Sequence, residues 1–283
     1  MSEPVRGLAA LDAELSAWGS EGRTATLWWR DDDAAADTAP LVRLLELAGK
    51  FSAPLSLAII PRLCDASLSR RIEQARDVTP IVHGYAHVNH APPAEKQAEF
   101  GAHRGTDVMC AELAAGLRIL QDMFGPGLLP VLAPPWNRFT AELAPHLHGL
   151  GYIGLSAFRP ATDRRPAAGI VQTNCHIDAI DWRSPPGLRP GNAVLDELIA
   201  LLCRRRLYPH VTADARILGK PIPPGFDPDE PTGILTHHLV QDSDSWEFLS
   251  QLLQTVAPHC RAGGGARWLR CADVFTLDAA QSI

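Results

Sequence analysis

The sequence predicts an α/β fold, a closed or nearly closed β/α barrel, and three observations carry that prediction. Short apolar runs alternate with longer amphipathic stretches along the chain, the rhythm of strands and covering helices. No internal repeat or low-complexity linker divides it, so residues 1–283 are expected as a single domain. Polar clusters stand where the predicted strands end, and the strand ends of a β/α barrel share one face.

The elements follow in order. Leu8 to Trp18 is a first helix, and Thr24 to Trp29 a buried strand ending at Arg30-Asp31-Asp32-Asp33. A helix over Pro40 to Ala48 leads to a strand over Pro54 to Ile60, stopped by Pro61. Leu68 to Arg76 is helical, and the short strand Pro80 to Val82 runs into His83. Asp107 to Phe124 is the clearest helix, with an acid in its first turn and Gly125-Pro126-Gly127 as its stop. Leu129 to Leu132, Tyr152 to Leu155 and Gly169 to Val171 are strands; Ala141 to Leu150 and Val194 to Arg205 are helices. Gly233 to Thr236 is a late buried strand, Trp246 to Ala257 a helix, and Trp268 to Val274 the closing element. The Pro/Gly-rich stretch Pro221 to Pro231 reads equally as a lid or as a surface loop.

Composition narrows the class. With 46% hydrophobic and 20% charged residues the chain can bury a large core and is neither disordered nor collagen-like. A net charge of −6 argues against a nucleic-acid partner, and no apolar run is long enough for a membrane span. The six cysteines contain no CxxC pair, and the start, Met1-Ser2-Glu3-Pro4, lacks a signal-peptide pattern. A cytoplasmic protein is the expectation.

Three clusters carry chemistry: Asp31-Asp32-Asp33, the pair His83/His87, and His237-His238. Adjacent carboxylates repel unless a cation or proton compensates. One aspartate suffices for a helix cap, so at least one of the three is expected to be a ligand. Two histidines and a carboxylate form a recurrent ligand set for catalytic zinc and similar divalent ions, leaving positions open for water and substrate. A second carboxylate can act as general base, and His237 or His238 as the acid that protonates a leaving group. The remaining histidines, His90 the readiest exception, are expected at the surface or in packing.

These residues resemble the NodB-homology polysaccharide deacetylases, carbohydrate esterase family 4. Five motifs of that family have counterparts in order between Thr24 and Leu277. The TFDDG-like first motif is similar to Trp29-Arg30-Asp31-Asp32-Asp33, and the His-x-x-x-His second to His83-Gly84-Tyr85-Ala86-His87. The third, usually Arg-x-Pro-Tyr, resembles Ala133-Pro134-Pro135-Trp136-Asn137; the fourth resembles Asp178-Ala179-Ile180-Asp181-Trp182; the fifth, a strand ending in histidine, resembles Ile234 to His237.

The resemblance implies a distorted (β/α)7 barrel and metal-dependent removal of N- or O-acetyl groups from sugars. It implies Asp31 as catalytic base, Asp32, His83 and His87 as metal ligands, and His237 as general acid oriented by Asp178. Trp136 and Trp182 would wall the substrate groove. The implied cofactor is a divalent metal, zinc before cobalt, nickel or manganese; the implied partner is an acetylated sugar or small amide. Four departures mark a divergent branch: Ala133 replaces the base-pairing arginine, Asp33 a glycine, Gly84 a serine or threonine, and His238 a common aspartate. Arg30 or Arg138 is the candidate replacement for the arginine, Arg138 also being a candidate substrate contact. Two alternatives stand beside this reading: a hydrolase of cyclic or small amides on the same fold, and a sugar-binding protein with a decayed site.

Overall fold

The computed structural model describes residues 3–183, 185–190, 192–208 and 227–276. Positions 221–226 of the expected lid or loop, and His210, lie outside the described residues. The chain opens with helix α1 (Glu3–Ser20). Strands β1 (Ala25–Ala34), β2 (Leu55–Ile59), β3 (Val78–His83) and β4 (Val131–Ala133) alternate with helices α2 (Ala39–Phe51), α3 (Ala66–Glu73) and α4 (Thr106–Phe124). A short helix α5 (Ala144–Leu147) precedes β5 (Gly154–Leu155), β6 (Val171–Gln172) and β7 (Cys175–Asp178). A small antiparallel pair, β8 (Ile180–Asp181) with β9 (Gly187–Leu188), leads into α6 (Ala193–Leu207). The order then runs β10 (Thr232–Thr236), α7 (Ser243–Val256), β11 (Ala266–Trp268) and α8 (Cys271–Val274).

The main sheet is parallel, in the order β6-β5-β4-β3-β2-β1-β10-β7, and β11 pairs with the start of β1. Just after β5, Phe158 forms an isolated parallel bridge to Cys175 of β7, so the sheet curls round toward its other end. Side chains alternate between its two surfaces. Leu27 and Trp29 of β1, Leu57 of β2, Val82 of β3 and Ile234 of β10 pack against the helices. Trp28, Ala58, Ile81, Val131 and Leu235 fill the lumen, plugged from the far end by Phe275, whose ring meets Trp28 edge-on at 5.7 Å.

Sequence logic explains most of the helices. Thr38 and Asp242 cap α2 and α7 with side-chain oxygens, and Pro40 fits the first turn of α2. Asp107 lies in the first turn of α4 and Gly125 ends it at φ 52°.

Several elements differ from expectation, and the helix expected over Ala141 to Leu150 is only a short α-helix, Ala144–Leu147, flanked by 3-10 turns. The first strand does not stop at Trp29 but continues through the acids to Ala34, because each carboxylate finds a counter-charge there. The closing element splits into β11 and α8, and β7 to β9 are additional strands in a polar stretch with no apolar run.

Candidate metal centre

The parallel sheet sends the ends of β1, β3, β7 and β10 to one rim. Alternation sorts the side chains that arrive there. Arg30 and Asp32 share the lumen side of β1 with Trp28, and His83 shares the lumen side of β3 with Ile81. Asp31 falls on the opposite side, with Trp29 and Thr236. A register shift between Asp31 and Ala34 then breaks the alternation, and Asp33 takes a left-handed φ of 74°. That bulge turns the Asp33 carboxylate toward the histidines.

Three ligand atoms converge as a result. Asp33 Oδ1 lies 3.1 Å from His83 Nε2 and 3.2 Å from His87 Nε2. Within 4.8 Å of one another, these form the only such grouping among the described residues. The His83 Nδ1–H donates to the Ala133 carbonyl at 2.9 Å, opposite it in the β3–β4 register. With Nδ1 engaged in this way, Nε2 is the ring nitrogen that faces Asp33 and could serve a metal ion. Burial pushes the Asp33 carboxyl up, but hydrogen bonds from His83 and His87 outweigh it and hold the group far below the usual carboxylate range. Burial pulls His83 down; the charge of Asp32 and the bond and charge of Asp33 outweigh that and raise it. Two imidazole nitrogens and one carboxylate oxygen with an open side suit a divalent ion.

The structure places two of the expected site residues away from the histidine pair. Asp32 does not join the histidine pair: its carboxylate is held by Arg30, Nε to Oδ1 at 2.8 Å and Nη2 to Oδ2 at 2.9 Å, with both side chains buried. Asp31 does not reach the centre either. Its oxygens accept from Thr236 Oγ1 at 2.6 Å, from the His238 amide at 3.1 Å and from the His238 ring. Burial lowers His238, and the charge and bond of Asp31 raise it above its ordinary value.

The arginine question has a geometric answer as well. Arg30 bridges Asp32 to the Asn137 side-chain oxygen and donates to Ser156 at 2.7 and 2.8 Å. Burial depresses its basicity, but Asp32 leads the charges that raise it above the ordinary arginine value. Arg138 instead donates to the Gln97 carbonyl at 2.6 Å.

His237 continues the lumen face of β10, its Nε2 3.9 Å from Asp32 Oδ2. Asp178 does not orient it. Asp178 Oδ1 accepts from the Ile180 amide, turning the chain into β8, while Oδ2 accepts from the Trp182 indole at 2.8 Å. The Trp182 ring stands edge-on to His237 at 4.5 Å, 53% exposed. On the other flank Trp136, at φ 55°, lies 4.3 Å from the His87 ring. Two indoles thus border the centre, Trp136 tilted against His87 and Trp182 edge-on to His237. Sequence reasoning missed Ser156 and Glu99, isolated polar residues with no motif around them.

No protein-family model matches the chain, and no curated protein sequence does. Solved structures do resemble it. A mutant of a CE4 family pseudoenzyme, with restored enzymatic activity, is 15% identical with a TM-score of 0.53, covering 89% of this chain and 68% of that one. A CE4 esterase from Streptococcus mutans is 10% identical with a TM-score of 0.51, covering 86% of this chain and 87% of that one. At these identities the likeness is one of fold: the chain is a distorted (β/α)7 barrel of the polysaccharide deacetylase type.

Proposed function

We propose that the chain is a metal-dependent deacetylase, a hydrolase that removes N- or O-acetyl groups from a carbohydrate or related amide. The observation that carries this reading is the meeting of Asp33 with His83 and His87 beside the Arg30–Asp32 pair. The fold shared with a CE4 esterase supports it. Asp33, His83 and His87 would hold a divalent ion, zinc before cobalt, nickel or manganese. When bound, the ion supplies Lewis-acid polarisation of the acetyl carbonyl and water of lowered pKa.

The chain's own groups supply the proton transfers. Asp32 is the base that takes a proton from the attacking water, and Arg30 fixes its orientation and balances its charge. His237, across from Asp32, gives a proton to the departing amine or alcohol as the bond to the acetyl carbon breaks. Acetate and the deacetylated product leave. Trp136 and Trp182 present flat apolar faces to a sugar ring on either side.

The test is acetate release from N- and O-acetylated sugars by the zinc-reconstituted protein, with a chelator control. Release that stops with the chelator is expected. Metal uptake without acetate release, accompanied by cleavage of small amides, would replace the substrate assignment; no metal uptake would overturn the reading.

A further inference from the structure

We infer that Glu99 is a positioning residue for the metal centre, its buried carboxylate holding the loop after β3 in the shape that turns the His87 ring toward Asp33 and His83. The inference rests on the reading of those three residues as metal ligands. The loop is unusual at both ends: Gly84 has φ 62° and His87 φ 58°. A left-handed histidine is strained and persists only where its surroundings dictate it.

Glu99 provides those surroundings. Its side chain accepts from the Tyr85 amide at 3.0 Å, the Ala86 amide at 2.8 Å and the Val88 amide at 3.4 Å. Successive amides gathered on one anion are a strong constraint on backbone shape. Glu99 is completely buried, and burying a carboxylate is costly unless hydrogen bonds of this kind satisfy it. Gly84 makes the approach possible: a Cβ there would lie 2.2 Å from Glu99 Oε2 and 2.5 Å from the Pro135 ring.

Glu99 is itself anchored. Arg104 donates to its carbonyl at 3.0 Å while pairing through both terminal nitrogens with Glu112 of α4. On either side, the Ala98 amide donates to Asn89 and the Thr140 amide to the Phe100 carbonyl. The carboxylate therefore ties the His87 loop to α4 and to the loop carrying Trp136. Gly84 has no side chain with which to hold the loop, and Glu99 does the holding from a distant position.

The experiment titrates the full chain with cobalt(II) alone, reading affinity and the visible ligand-field band. Glu99→Gln keeps size but turns an amide NH2 toward the Tyr85 or Ala86 N–H. Glu99→Asp keeps charge and withdraws it by one methylene, so a Gln variant that fails to melt cooperatively leaves the test standing. Cobalt affinity is expected to fall about 10- to 100-fold with a changed band, the usual cost of removing a group behind a ligand. In a His87→Ala background the same change should alter affinity less than about twofold, because its target is gone. Wild-type affinity and band in a folded variant, or the full loss persisting without His87, would overturn the inference. A wild-type chain that takes up no cobalt would instead overturn the metal reading beneath it.

Discussion

Arg30 and Asp32, two residues apart on one face of β1, form a buried ion pair of 2.8 Å inside the mouth of the barrel. Ala133 on β4 offers no guanidinium; Arg30 reaches the Asp32 carboxylate from the first strand. The Arg30–Asp32 contact is doubled and leans on Ser156 and Asn137, a geometry that suits a planar fork and not an ammonium. Arg30→Lys should therefore keep the charge yet misplace Asp32, the proposed base. Turnover is expected to fall about 10- to 100-fold with zinc content unchanged, checked by kcat and elemental analysis of the same preparation.

The Asp31–His238 pair makes a different prediction. It lies outside the lumen, tying β1 to β10 with help from Thr236 and Trp29. Asp31→Asn should lower unfolding free energy by about 3–5 kcal/mol, the cost of breaking a buried pair by removing one partner. Metal content and turnover per folded molecule should persist. Denaturant unfolding and a parallel assay check both halves.

Near the far end of the barrel, His176 gives a pH dependence. Its Nδ1 accepts from the Gly233 amide at 2.9 Å, and Nε2 faces Glu230 at 3.1 Å, so the ring is neutral. Burial pushes its pKa down, and Arg205 adds to that against the pull of Glu230. Above the unfolded value of about 6.5 neither state carries the proton; below it the unfolded chain binds one that the native chain resists. Stability should fall as pH drops below that point, by up to about 1.4 kcal/mol per pH unit from this group. His176→Gln, which can still accept and donate, should flatten the slope between pH of about 5 and 6.5. Identical profiles for the two proteins would contradict it.

Much of this was legible in the sequence, and the rest failed for a physical reason. Apolar runs located β1, β2, β3 and β10, and chain topology brought their polar ends to one rim. Strand alternation, carried past Trp29, already separates Arg30, Asp32 and His237 from Asp31 and His238. What it does not contain is the bulge. A period of two would place Asp33 with Asp31, away from the histidines, and only the left-handed turn at Asp33 reverses that. The hint was an aspartate where a tight turn favours glycine. Glu99 had no comparable hint, since its partners are backbone amides from a loop more than ten residues earlier.

The account depends on which carboxylate meets the two histidines, and zinc content of Asp33→Asn beside Asp32→Asn under identical reconstitution tests that most directly. Asp33→Asn should lose the ion. Asp32→Asn should retain about one per chain while turnover falls at least about 100-fold, as expected for loss of a general base. A metal-free Asp32→Asn protein beside a fully loaded Asp33→Asn protein would contradict it.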